Sequence, residues 1–249
     1  MSGKIFERNY YVHIYETNLR NELDIPYLMR YFEEMALMQS HAEGVGLDYY
    51  QKHDVAWVLH QFDIQIQRLP RFSEVVTLRT QPVSTYKFMG FRKYWVLDSN
   101  NKPLITADTS WLFINPKTRR PMRVNEDMKQ AYGHAGAEEF KPDMADVPCL
   151  ERVDLSKSFP VRFSDIDVNN HVNNTHYVEW ALEALPPEVR DQGILRNIRI
   201  AFKKETAYGE IILSEARQQQ TADGYQFLHR ISTSDGTTRC LLLSYWENR

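Results

Sequence analysis

Twice in this chain, strictly alternating apolar residues follow a helix-spaced apolar run. Phe62, Ile64 and Ile66 alternate with Asp63, Gln65 and Gln67, and 136 positions later Ile198, Ile200 and Phe202 do the same. Period-two alternation marks a strand with one buried face. Arg71-Phe-Ser-Glu74-Val-Val is matched by Ala207-Tyr-Gly-Glu210-Ile-Ile at the same offset, and Tyr31-Phe-Glu-Glu is echoed by Tyr177-Val-Glu-Trp at an offset of 146. A turn at Ser99-Asn-Asn101 has a counterpart at Ser234-Asp-Gly236. Self-similarity of this kind means one structural unit used twice, which removes most fold classes from consideration.

Each unit reads as a short strand, a helix and four longer strands. In the first, residues 10–16 alternate as a strand. Asp24 then caps a helix that carries Pro26 in its first turn, where proline is tolerated. Leu28, Phe32, Met35, Met38 and Ala42 recur at helical spacing, and Gly44 and Gly46 stop the run. Pro70–Glu74 reads as an interruption after which Val75–Arg79 resumes the strand; Phe91–Leu97 and Leu104–Ile114 form a hairpin. Residues 126–148 lack periodicity and read as a surface linker. The organisation expected is α+β, with an N-terminal unit over 1–125, a linker over 126–152 and a C-terminal unit over 153–249. At the 146 offset Asp167, Asn169 and His171 fall opposite Asn21, Leu23 and Ile25, so the first unit is expected to have lost the second unit's polar cluster. Its helix, with Met35 and Met38, is then expected to supply an apolar pocket for a flexible chain.

That polar cluster places two Asp, four Asn and a His within Asp165–Asn174, directly before the apolar run Val178, Ala181, Leu182 and Leu185. Asn173 or Asn174 is a natural N-cap, and Pro186-Pro187 is expected to end the helix. The first N–H groups of a helix lack internal partners, so amides near Val172–Asn174 could receive an oxyanion, beside side chains able to orient and activate water. Capping and turn chemistry alone would account for any single Asp or Asn here, but a cap needs one side chain and not six.

Ser164-Asp-Ile-Asp-Val-Asn-Asn-His-Val-Asn-Asn174 closely resembles the S-D-[LI]-D-x-N-x-H-V-N-N motif of acyl-acyl carrier protein thioesterases. The likeness extends to Trp57–Val76 and to Ser110-Trp-Leu-Phe-Ile-Asn-Pro-Lys-Thr-Arg-Arg-Pro121, and so covers most of the chain. It implies a double hotdog, two antiparallel sheets each wrapped around a helix, and puts Asp167, Asn169 and His171 in the active site. Lys203-Lys204-Glu205-Thr206 matches the family's K/R-x-E-C context, which adds Glu205 as general base, with His171 as the competing candidate. Thr206 stands where plant members have Cys, which favours attack by water. Glu205 could instead be a surface partner of Lys203 or Lys204. Asn173 and Asn174 are expected at the substrate. The acyl carrier protein is the partner implied, and two basic groups are candidates to dock it: Arg119 and Arg120 in one, Arg199 and Lys203 in the other. Two alternatives remain: an acyl-CoA thioesterase of the related single-hotdog type, and a non-catalytic hotdog protein that binds acyl chains.

Composition narrows the rest. A net charge of −3 gives no basic field for nucleic acid. Cys149 and Cys240 suggest neither a disulfide framework nor a zinc site; no Gly-x-Ser-x-Gly is present, and no metal or cofactor is expected. No stretch approaches a membrane span, and the N-terminal residues carry no signal or transit pattern, so a bacterial, cytoplasmic protein is expected. Exposed sheet edges leave room for a homodimer.

Overall fold

The alternating segments do form long strands. A computed structural model describes residues 3–249. The chain divides into two compact units, one comprising the residues through Asp24, Leu28–Phe62 and Gln67–Met144, the other Ile25–Tyr27, Asp63–Ile66 and Ala145–Arg249.

Unit 1 holds β1 (Phe6–Tyr11), most of α1 (Ile25–Ala42), α2 (Leu47–His53), most of β2 (Ala56–Ile66), β3 (Val75–Tyr86), β4 (Met89–Leu97), β5 (Pro103–Asn115), β6 (Arg120–Pro121) and α3 (Glu126–Ala131). Its strand order is β1-β3-β4-β5-β2, with β6 on β5. The pairs β1·β3, β3·β4 and β4·β5 are antiparallel. Because β3 and β2 are not neighbours, Val75 begins a new strand and does not resume the old one. Phe32 on α1 is fully buried, with its ring 4.6 Å from Tyr94 on β4 and 6.1 Å from Phe62 on β2. α1 ends as its sequence predicts. Gly44 takes φ 77°, and Gly44 N and Val45 N donate to the carbonyls of His41 and Ser40, which satisfies two otherwise orphaned groups.

Two further local expectations fail in unit 1, and one helix was not foreseen. The first strand lies earlier, at Phe6–Tyr11, and Ile14–Glu16 is a tight 3-10 turn instead. The Glu16 carboxylate accepts from His13 N at 2.8 Å, and such a bond outcompetes extension. α2 follows α1 almost at once. The stretch 126–152 holds α3, capped by Asn125, whose side chain accepts from Met128 N. Met128, Ala131 and Tyr132 are buried with Val45, Val55, Phe113 and Val124, so this part of the segment is core and not surface linker.

Unit 2 runs β7 (Leu155–Pro160), α4 (Asn174–Glu183), α5 (Pro187–Gln192), β8 (Ile194–Phe202), β9 (Ile211–Gln220), β10 (Gly224–Thr233) and β11 (Thr238–Glu247). The strand order β7-β9-β10-β11-β8 repeats that of unit 1, and its pairs are antiparallel. α4 buries Tyr177, Val178, Trp180 and Ala181, and Ser214 on β9 donates to the Trp180 carbonyl at 2.9 Å. The prolines do more than end α4: it closes at Glu183, and Pro187 occupies the first position of α5. Each unit is thus a hotdog, a long helix against an antiparallel sheet.

The duplication reaches individual bonds. Trp111 Nε1 donates to Thr109 Oγ1 at 2.9 Å, and Trp246 Nε1 donates to Ser244 Oγ at 3.0 Å. Before the helices, the offset is 149 and not 146. Isolated bridges Thr17–Leu23 and Ile166–Val172 close equivalent turns, and Asn21 and Asn170 both take positive φ, 57° and 63°. Asn18, Arg20 and Glu22 are therefore the counterparts of Asp167, Asn169 and His171. Unit 1 kept a polar turn and did not lose it; the 146 alignment was displaced by nearly one helical turn.

Candidate active site

The motif folds into a closed turn in front of α4. Asp165 is fully buried and anchors it: its carboxylate accepts from Arg162 N at 2.8 Å and Arg162 Nε at 3.0 Å, and its carbonyl accepts from Asn173 N. Burial works to raise this carboxyl, but the Arg162 bonds and nearby His176 outweigh it and hold the group below the usual carboxylate range. Asp165 is a structural residue. His176 is too: it is buried, and its Nδ1 lies 2.7 Å from Glu179.

Asp167 N donates to the His171 carbonyl at 2.8 Å, so the turn closes on itself. The Asp167 carboxylate accepts from Asn169 N at 2.8 Å and Asn169 Nδ2 at 3.4 Å. The Asp167 carboxylate thus fixes Asn169. His171 Nε2 lies 3.1 Å from Glu205 Oε2, and both side chains are about one-third exposed (34% and 35%). Glu205 therefore faces the imidazole, in the loop after β8. The turn and that loop are stitched by Val172 N to Thr206 O (3.0 Å) and by Tyr177 OH to Thr206 Oγ1 (2.9 Å).

Family models for the acyl-ACP thioesterase N-terminal and C-terminal domains match residues 3–132 and 150–248. The chain belongs to the acyl-ACP thioesterase family. It is 26% identical over 258 residues to the chloroplast acyl-[acyl-carrier-protein] hydrolase FATB2 of Cuphea viscosissima, covering 94% of this chain and 60% of the relative. It is 26% identical over 230 residues to oleoyl-acyl carrier protein thioesterase 2 of Arabidopsis thaliana, covering 84% and 62%. The chain thus spans about three-fifths of the length of these curated relatives. A Lactobacillus plantarum thioesterase structure superposes with a TM-score of 0.93 at 26% identity, covering 99% of this chain and 97% of that one. The 12:0-ACP thioesterase of Umbellularia californica shares the fold, with a TM-score of 0.81 at 19% identity, covering 98% and 94%.

Within this acyl-ACP thioesterase fold, several expectations change. Val172 N and Asn173 N already donate to Thr206 O and Asp165 O, so these two amides are not open to an oxyanion. Asn173 Oδ1 accepts from Thr175 N (3.1 Å) and Thr175 Oγ1 (2.7 Å), so its side-chain oxygen caps α4. Asn174 is the first residue of α4. Thr206 is buried, with its hydroxyl accepting from Tyr177, and burial pushes the Tyr177 phenol and the Cys240 thiol well up. Neither Thr206 nor Cys240 is in a state to act as nucleophile.

Met35 is fully buried in unit 1, and Met38 is half-buried with its sulfur 3.9 Å from the Tyr10 hydroxyl, which donates to Glu34 at 2.8 Å. Arg119, Arg120 and Lys203 are exposed. Arg199 is paired with Asp63 at 3.0 Å, so its charge is already partnered. Among the described residues, no group of three or more His, Cys, Asp or Glu side chains could hold a metal, and no helix is long and apolar enough to cross a membrane.

Proposed function

We propose that the chain hydrolyses the thioester of a fatty acyl-[acyl carrier protein], releasing free fatty acid and carrier, by attack of an activated water. The observation that carries this reading is the 3.1 Å approach of His171 Nε2 to Glu205 Oε2; the same turn carries an Asn169 carboxamide bonded to Asp167. A carboxylate and an imidazole in contact can take a proton from water and return it, a contribution of roughly 10²–10⁴-fold. Glu205 serves as the base, with His171 passing the proton; the hydroxide adds to the carbonyl carbon. Asn169 Nδ2 has a second hydrogen with which to meet the developing oxyanion, a role for which the occupied amides of Val172 and Asn173 do not suffice. The tetrahedral adduct collapses by breaking the C–S bond. The carrier's pantetheine thiolate is a good leaving group, near pKa ~8.5 by analogy with cysteine, and recovers the proton from the His171–Glu205 pair.

The test is a matched assay of acyl-carrier and acyl-CoA substrates with the parent, Glu205→Gln and His171→Ala. Faster turnover of the carrier-bound substrate, lost in both variants, supports the reading. Equal or better turnover of acyl-CoA assigns the chain to the CoA-dependent class, and no turnover of either marks an acyl-binding protein. The roles assigned to other residues are tested separately. Met35→Ala and Met38→Ala should alter the chain length of the released acid. Reversing Arg119 and Arg120 to Glu should raise KM for the carrier substrate alone.

A further inference from the structure

We propose that Arg239 is a positioning residue that holds the Glu205 loop against His171; the proposal rests on Glu205 acting as described above. Arg239 lies at the start of β11 with its side chain only 15% exposed, and it spans the loop from both ends. Its Nη1 donates to the Glu205 carbonyl at 2.7 Å, and its Nη2 donates to Glu210 Oε1 at 2.7 Å. The other oxygen of Glu210 accepts from Ala207 N at 2.6 Å. The Arg239 carbonyl accepts from Lys203 N at 2.8 Å and Lys204 N at 3.2 Å. Residues 203–210 thus hang on one guanidinium–carboxylate bracket on one side. On the other they are stitched to the motif through Thr206. Bonds of an ionised, largely buried guanidinium face little competition from water, so they define the loop's position closely.

Unit 1 offers an internal comparison. There Gln67 N and Arg68 N donate to the Leu104 carbonyl at 2.9 and 3.4 Å, as Lys203 N and Lys204 N donate to that of Arg239. Leu104 is therefore the counterpart of Arg239, and Leu69 that of Glu205. Glu74, the counterpart of Glu210, still accepts an amide, from Arg71 at 3.1 Å, and the exposed Arg68 donates both to Glu74 (2.9 Å) and to the Leu69 carbonyl (3.3 Å). Both loops thus carry a guanidinium–carboxylate bracket, but in unit 1 it is made by the loop's own exposed Arg68, whereas in unit 2 it is made by the largely buried Arg239 of β11, on a loop whose carboxylate faces an imidazole.

The experiment compares steady-state hydrolysis of acyl-carrier substrate by the parent, Arg239→Leu, Arg239→Lys, Glu205→Gln and the Glu205→Gln/Arg239→Leu double variant. Displacing a catalytic group by about an ångström costs on the order of 10²-fold, so Arg239→Leu should lower kcat about 10- to 100-fold with KM within about twofold. Arg239→Lys, which keeps the charge and one donor nitrogen but not the two-pronged geometry, should recover part of that loss. In the Glu205→Gln background the leucine substitution should cost less than about twofold, because its effect passes through Glu205. Parental kcat in Arg239→Leu, or an equal loss in both backgrounds, overturns the proposal. Should Arg239→Leu fail to fold, Glu210→Gln replaces it, with a smaller loss that again vanishes beside Glu205→Gln. Full activity of Glu205→Gln alone would instead remove the premise about Glu205 and this role with it, an outcome distinct from an inert Arg239.

Discussion

The turns before α1 and α4 share a backbone and differ in what they carry. Arg20 N donates to Asn18 Oδ1 at 2.8 Å, and Asn169 N donates to Asp167 Oδ1 at 2.8 Å. Asp24 N meets Glu16 O at 2.9 Å, as Asn173 N meets Asp165 O. Leu23 N reaches Pro70 O at 2.7 Å, as Val172 N reaches Thr206 O. The αL position falls to an asparagine in both, the residue that tolerates it best after glycine. On this frame unit 1 carries an ion pair, Arg20 to Glu22 at 3.0 Å with Arg71 3.7 Å from Glu22. Unit 2 carries Asn169, and His171 against Glu205. Polarity in front of the helix is therefore a property of the turn and not evidence of chemistry. What distinguishes unit 2 is an imidazole meeting a carboxylate from another loop, whereas in unit 1 Glu22 meets arginines and the second loop offers Leu69.

The contrast is broken most directly by substitution at equivalent positions. Glu205→Gln should reduce kcat by about 10²–10⁴-fold, and Asn169→Ala by about 10²–10³-fold. Arg20→Ala and Glu22→Ala, on the same frame, should leave kcat within about threefold. Comparable losses at Glu22 and His171 would mean that unit 1's turn also takes part in the reaction.

The anchors beneath the turns come next. Removing the buried Asp165 carboxylate as Asp165→Ala breaks several charge-assisted bonds and should cost about 3 kcal/mol. In a chain of this size that is a Tm lower by roughly 6–12 °C. A change within about 1 °C would show that Arg162 and the backbone hold the turn without it.

Acid should separate the two units as well. His229 on β10 is fully buried against Ser244 Oγ at 2.9 Å, and burial pushes its imidazole down to about 3. The cross-strand pairs His229–Leu242 and Tyr94–Ala107 make Tyr94 its counterpart in unit 1. Between the ordinary value of about 6.5 and the folded value, the unfolded chain binds the extra proton, so stability is full above that range and falls with pH, by ~3 kcal/mol at pH 4. His229→Phe should remove that part of the slope in urea unfolding between pH 7 and pH 4; an unaltered slope would assign acid sensitivity elsewhere.

The smallest effect concerns the stitch between motif and loop. Thr206→Val deletes the acceptor for Tyr177 OH and should cost about 1 kcal/mol while leaving most activity, as expected of a hydroxyl that is not a nucleophile. Loss of activity on the scale of Glu205→Gln would reopen covalent catalysis at this position.

Much of the architecture was readable without coordinates because period-two and helical patterns report burial directly. The strands around Phe62–Ile66 and Ile198–Phe202, the Gly44 stop and the Asn173 cap each depend on a few adjacent residues. The local failures, such as the 3-10 turn at Ile14–Glu16 or Pro187 opening α5, came where a side chain or ring satisfies the backbone in a second way. The motif itself marked Asp167, Asn169 and His171, since it is continuous in sequence. Four features rested on tertiary structure alone. These are the 149 register of the repeat, the prior commitment of the Val172 and Asn173 amides, the approach of Glu205 to His171, and the bracket of Arg239 on the Glu205 loop. The first follows from how a local turn closes, and Asn173 N is taken within the motif itself; the others are contacts between segments far apart along the chain, set by how strands pair and loops cross, and pairing of that kind leaves no periodic mark on either segment.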